Sequence, residues 1–303
     1  MENLLLTFKQ SFIESIQRAI AERRGFAAGK LGGSEQVCLS FHLASGMSDE
    51  PQLVDRARPI FAALKYHAER QTGIFPTSFD FLQRYSRQYA SAVSQADFLG
   101  LFGYPAERAL VHRLGLSAGL LKFTDTEPDR SIPHNPSLCY LPTFRGQRVL
   151  LIAPFASFAA QRADKKIFES VWSRIGVPWF EPAAVLAIDI PYGFIGQVKT
   201  FERFGDSLKL KNHICCQIDS IDFDVALIAA GSLAIPLAVH IKSTGKVAIS
   251  LGGHLQALFG ILGQRWLRDE FWRQNYINEH WVRMPIQFVP ENSASLVDNG
   301  AYW

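Results

Sequence analysis

The chain has 303 residues, 48% hydrophobic and 19% charged, with a formal net charge of +3. That balance describes a well-buried globular protein and excludes a disordered one. The small net charge, with basic residues scattered rather than striped among aromatics, offers no electrostatic track for nucleic acid.

In chain order, residues 7–23 place Phe8, Phe12, Ile13, Ile16 and Ile20 at helical spacing, and Gly25 stops the helix. A short strand is expected over 26–31, ending in Gly32-Gly33, and Ser34 caps a helix that runs to about Ala44, before Gly46. Helices are expected over 51–71 and 77–94, then a strand over 96–102 closed by Gly103 and Pro105. Between 124 and 146 the periodicity disappears, and Pro128, Pro133, Pro136 and Pro142 mark a long connection. It separates an N-terminal α/β part (1–123) from a C-terminal part and tail (147–303), read together as one integrated catalytic domain.

Beyond the connection, strands over 148–153, 183–190, 223–230 and 247–251 alternate with helices over 157–175, 201–215 and 233–244. Continuous apolar strands alternating with helices predict an α/β, Rossmann-like, mostly parallel sheet with helices on both faces. After Gly253 comes an aromatic-rich tail with Trp266, Trp272, Trp281 and Trp303. Leu4-Leu5-Leu6 is too short for a secretory leader, and the runs 185–190 and 225–230 cannot span a bilayer. The expected setting is cytoplasmic, with peripheral contact of the N-terminal helix at the inner membrane face left open. Cys38, Cys139, Cys215 and Cys216 make no zinc or C-x-x-C spacing. The adjacent pair is expected to be small buried residues where the chain enters a strand.

In an open α/β sheet, ligands bind outside the carboxyl ends of the strands. Three junctions there carry the glycines that close backbone approach requires. The first is Lys30-Leu31-Gly32-Gly33-Ser34-Glu35, where amides at a helix start can meet phosphate oxygens. Glu35, in the first turn, has two readings: a base or cation ligand, or a carboxylate that complements the helix dipole. The second junction is Gly231-Ser232, and the third is Gly252-Gly253 followed by His254 and Gln256. Strand polarity sends Asp222 and Asp224 to the opposite edge, while Asp189 remains a second acid near a strand end. No metal-spaced histidine pair, P-loop, G-x-G-x-x-G or serine-hydrolase elbow occurs.

The segment Lys30 to Glu35 resembles the early Arg-x-Gly-Asp-Gly-Glu motif of GT-D-type bacterial glycosyltransferases. The stretch DFDVALIAAGSLAIPLAVHIKSTGKVAISLGG, 222–253, resembles that family's later strand-glycine-helix-strand-glycine block. A narrower set of bacterial relatives is similar at Ala153-Pro154-Phe155, Gln161, 252–266, 278–283 and 300–303. The resemblance implies a hexosyltransferase of surface polysaccharide or glycoprotein synthesis, taking a nucleotide diphosphate sugar as donor and a glycan or lipid-linked acceptor. It implies Mn or Mg held at the motif's carboxylates. Here Gly33 stands where the aspartate would be, and Glu35 alone holds a divalent cation poorly. The helix starts at Ser34 and Ser232, with Lys30 or Arg265, are then expected to stabilise the leaving diphosphate. Gly32, Gly33, Gly231, Ser232, Gly252 and Gly253 would approach the donor, with His254 and Gln256 orienting it. Trp266 and Trp281 are candidates for an acceptor platform. The alternatives are a catalytically inactive nucleotide- or sugar-binding protein, or a scaffold of a polysaccharide assembly complex.

Overall fold

A computed structural model describes residues 2–46, 51–130, 132–133, 135–291 and 296–303. Parts of the expected connection and tail, at Ser131, His134 and 292–295, lie outside the described residues. Seven strands form one all-parallel sheet. They are β1 (Phe26–Lys30), β2 (Phe98–Leu101), β3 (Gly119–Lys122), β4 (Arg148–Ala153), β5 (Ala184–Asp189), β6 (Val225–Ile228) and β7 (Val247–Ser250). Their spatial order is β3-β2-β1-β7-β6-β4-β5. Strands from both sides of the 124–146 connection therefore share one sheet.

The helices that bear on the site are α1 (Glu2–Ala21), α2 (Gly33–Ser45), α3 (Pro51–His67), α4 (Phe79–Val93), α5 (Pro105–Arg113), α6 (Ala156–Gln161), α7 (Lys165–Val171), α8 (Val198–Phe204), α9 (Ser207–Asp219), α10 (Ala234–Ser243) and α11 (His254–Leu258). Side-chain alternation along β4 explains the two layers of helices. Val149, Leu151 and Ala153 enter one apolar core with residues of α1, α6, α7 and α11. Leu150 and Ile152 enter the other, with residues of α2, α4, α9 and α10. A strand buried on both faces needs an unbroken apolar run, which is what β4 and β6 carry. Helix α10 approaches β1 closely because Gly29 has no side chain; a Cβ there would stand 2.6 Å from Ile235.

Several expectations need correction. The helix expected over 157–175 is two helices, because Arg162 turns inward to donate to the Phe259 carbonyl (2.6 Å) and Asp164 caps the second. Cys215 and Cys216 lie on α9 and do not enter a strand; Cys215 is half-buried and Cys216 exposed. Strand β3 had no counterpart in the sequence reading. The tail packs as core: Trp266, Trp272 and Trp281 are each about 95% buried, and the Trp281 indole donates to the Val171 carbonyl at 3.1 Å. Trp266 and Trp281 are thus unavailable as an acceptor platform. The tail also contributes a two-residue parallel pairing of Ile261–Leu262 with Val282–Arg283.

Leu151 is fully buried at the middle of β4. Leu151→Ala should lower the unfolding free energy by about 2–5 kcal/mol in urea titration. A loss under about 1 kcal/mol would contradict the packing described.

Candidate active site

The three glycine junctions lie on three neighbouring strands, β1, β7 and β6. The chain leaves β1 into α2 on one face of the sheet, and leaves β7 into α11 on the other. The carboxyl edge between two such departures is the usual place for a ligand in a parallel sheet; here the C-terminal residues 297–300 pack against residues 68–72 beside it. Gly33 and Gly252 both look outward there, and a Cβ on either would meet nothing within 4 Å. Gly252 also has φ +56°, a left-handed turn that favours glycine. Arg265 is exposed beside Gly253: its guanidinium lies 4.4 Å from the Tyr302 ring centroid and 3.4 Å from the Cβ position of Gly253.

The other predicted residues divide across the sheet. Gly231 (φ +51°) and Ser232 pack on the final turn of the α3 region, where the Ser232 hydroxyl donates to the Thr72 carbonyl at 3.2 Å. A Cβ on Gly231 would stand 2.6 Å from that same oxygen. Ser34 donates to Gln71 Oε1 at 2.6 Å. Gln256 is fully buried and donates to the carbonyls of Leu262 (3.0 Å) and Tyr302 (2.7 Å), tying the tail to α11. Asp189 sits at the end of edge strand β5, where it accepts from the Ser157 amide at 2.8 Å. Asp224 accepts from the Arg148 amide at the amino edge, as strand polarity requires.

Glu35 is half-buried in the first turn of α2, with Oε2 2.6 Å from the Cβ position of Gly32. Gly32 is the residue at the helix boundary and Glu35 the third inside it, and no side chain caps that boundary with a hydrogen bond. Burial pushes the carboxyl above its ordinary value, and the nearby amides of Glu35 and Gly32 oppose the shift only in part. Its ionisable neighbours are Cys38, Tyr85 and Tyr89, all buried on the α4 side. The Tyr85 hydroxyl has no well-formed hydrogen bond, since the nearby Ser232 hydroxyl is directed at Thr72.

Lys30 points to the opposite face from Glu35. It joins a buried charge cluster that the sequence reading missed, built from Glu127, Asp129 and Arg130 just after β3. Lys30 Nζ donates to Glu127 Oε1 at 2.6 Å, and Arg130 Nε to Glu127 Oε2 at 2.6 Å. His254 Nδ1 stands 3.4 Å from Glu127, and its Nε2 meets Asp129. Burial raises the Glu127 carboxyl, but His254, Lys30 and Arg130 together outweigh it and hold it well below the carboxylate range. Lys30 is pulled down by burial, against the pull of Glu127. The only sequence signal was compositional: Asp125, Glu127, Asp129 and Arg130 crowd one short stretch of a weakly charged chain.

A second missed group is aromatic. Phe102 and Tyr104 follow β2 and are 49% and 63% exposed. Phe102 stacks on Phe123 (centroids 4.1 Å, 12° between planes), and Lys30 Nζ stands over Phe123 at 4.8 Å. Buried Glu107 accepts from the amides of Phe102 (3.1 Å), Gly103 (2.5 Å) and Tyr104 (2.8 Å). Gln36 of α2 donates both to Glu107 and to the Leu31 carbonyl, fixing this loop to the β1–α2 turn. Two clefts of about 370 and 340 Å³ lie elsewhere, the larger at the amino edge where Lys242 meets Asp97 at 2.8 Å.

Glu127→Gln strands Lys30 and Arg130 in a buried site and should cost about 3–5 kcal/mol, measured by denaturant unfolding. The folded carboxyl of Glu127 titrates below its ordinary value of 4.5. Its contribution is therefore full above pH 4.5 and is lost as pH falls toward the folded value. A wild-type stability that stays flat below pH 4.5 would contradict this assignment.

Comparison with known proteins gives one family match. The family described as GT-D fold-like domain matches residues 195–258, which span α8, α9, β6, α10, β7 and α11. No curated protein and no solved structure matches the chain. The matched segment carries two of the three glycine junctions and the buried His254. Over residues 195–258 the chain is thus similar to the GT-D fold-like domain, and this segment supplies two strands of the seven-stranded parallel sheet.

Proposed function

We propose that the protein is a glycosyltransferase that moves a hexose from a nucleotide diphosphate sugar to a glycan or lipid-linked acceptor in bacterial surface polysaccharide or glycoprotein synthesis. The observation that carries this reading is the GT-D fold-like match, because it covers the strands that bring Gly231-Ser232 and Gly252-Gly253 beside the Gly32-Gly33 turn. The donor diphosphate lies over the two open glycines, Gly33 and Gly252. The amides at the start of α2 and the Arg265 guanidinium face the charge that develops on it. His254, held by Asp129 and Glu127, and Gln256, held by the tail, keep the Gly252-Gly253 turn in place.

The residues at the helix start do not fit a divalent cation. Glu35 supplies one carboxylate, and Gly33 supplies none. Among the described residues, no group of three or more His, Cys, Asp or Glu has metal-site geometry. Glu35 is instead the base that takes the acceptor hydroxyl's proton, and burial raises its carboxyl toward the range where a base works near neutral pH. Among the described residues no helix is long and apolar enough to cross a membrane; a lipid-linked acceptor would be met at a membrane surface.

Gly33 in the place of the motif's aspartate favours a second reading, a nucleotide- or sugar-binding protein without turnover. A thermal-shift panel of nucleotide sugars, with and without Mn or Mg, should show at least one donor raising the melting temperature irrespective of the metal. Silence across the panel would overturn both readings and leave a scaffold. With the donor found, Glu35→Gln should cut turnover by about 10²-fold or more while leaving donor binding in place. The wild-type rate should rise with pH through a midpoint above 4.5, a limb absent from the variant. Equal turnover by both would remove Glu35 from the chemistry, and absence of turnover with intact binding would select the second reading.

A further inference from the structure

Phe102 and Tyr104 are exposed rings on a loop whose backbone is held by a buried side chain. Phe102 shows Phe123 one face of its ring and leaves about half its surface to solvent. The layers Lys30, Phe123 and Phe102 form a stack, and the Tyr104 ring lies next to it, 5.9 Å from Phe102 and tilted by 35°. Three consecutive amides of this loop are held by the single buried carboxylate of Glu107, which Gln36 links to the β1–α2 turn. Gly103 takes φ +96°, and a Cβ there would meet nothing within 4 Å, so the space above the turn is clear. A loop pinned in this way presents its rings in one fixed orientation, with little ordering left to lose when a flat ligand arrives.

Position identifies the ligand. Strand β2 lies beside β1, with Gly100 paired to Lys30, so Phe102 stands next to the Gly32-Gly33 turn. In parallel sheets of this kind a diphosphate at the helix start after the first strand extends its ribose toward the end of the neighbouring strand. We propose that Phe102 and Tyr104 form the stacking platform for the nucleobase of the donor's nucleoside diphosphate. This inference rests on the donor placement given under Proposed function. The base lies over β2, the diphosphate over Gly33, and the sugar points toward Gly252 and Arg265. Stacking tolerates any base, so the platform supplies affinity, and selection among bases falls to other groups.

Isothermal titration of the full-length chain with UDP, GDP and inorganic pyrophosphate tests this directly. Phe102→Ala and Tyr104→Ala should each weaken UDP and GDP about tenfold, the loss expected for one stacked base, while pyrophosphate binding is unchanged. Tyr104→Phe should bind as wild type does, because the ring is retained. Equal nucleotide affinity in wild type and both alanine variants would overturn the platform and leave the proposed function standing. So would a loss confined to the acceptor sugar, or an equal loss for pyrophosphate. If neither nucleotide binds the wild type, the platform and the donor reading fail together.

Discussion

The pairing of β1 with β7 is the constraint on which the arrangement depends. These strands come from near the two ends of the chain, yet they hydrogen-bond in parallel register, Phe26 to Val247 and Ala28 to Ile249. Parallel neighbours cannot be joined by a tight turn, so every link in the sheet is a crossover. With β1 in the middle, the first three strands build outward to one side and the last four complete the other. The irregular stretch after β3 has to carry the chain from one margin of the sheet to the far half. In doing so it passes Lys30 and His254, and this places Glu127 and Asp129 beneath them. One pairing thus sets the crevice and the charged floor at its side.

Glu127 shows why that floor holds together. A single carboxylate meets Lys30, Arg130 and His254 in a region where each charge alone would be poorly tolerated. Arg130 in turn lies over Trp272 at 4.8 Å, joining the floor to the aromatic tail. The Asp129 Oδ2 and Lys9 Nζ atoms are buried without hydrogen bonds among the described residues. Their polar surroundings suit a buried water more than an apolar filling.

The central strands were legible because burial on both faces leaves no choice but a continuous apolar run, as in Val149 to Ala153. The glycine turns at their ends were legible because backbone geometry restricts the residue type. Strand β3 was not: it lies at the sheet margin, and its residues alternate between partial exposure and burial over only four positions. The break after Gln161 was hidden because its cause is tertiary, an arginine side chain reaching a carbonyl 97 positions away. Lys30 and Glu35 looked like parts of one motif, yet strand alternation and the first turn of α2 direct them to opposite faces. The partner of Lys30, Glu127, could not be inferred from spacing. The tail's tryptophans were ambiguous for a different reason, since ring-rich sequence reads alike whether the rings meet each other or a ligand.

The carboxylate of Glu35 in the first turn of α2 has a consequence for how chemistry and recognition are joined. In the ligand-free chain its negative charge complements the dipole of that helix. An anionic ligand seated over Gly33 would share that helix start, and two like charges at close range increase the proton affinity of the titratable one. On the proposed reading the substrate would then tune its own base: proton affinity would be lowest with the crevice vacant and greatest once the donor is in place.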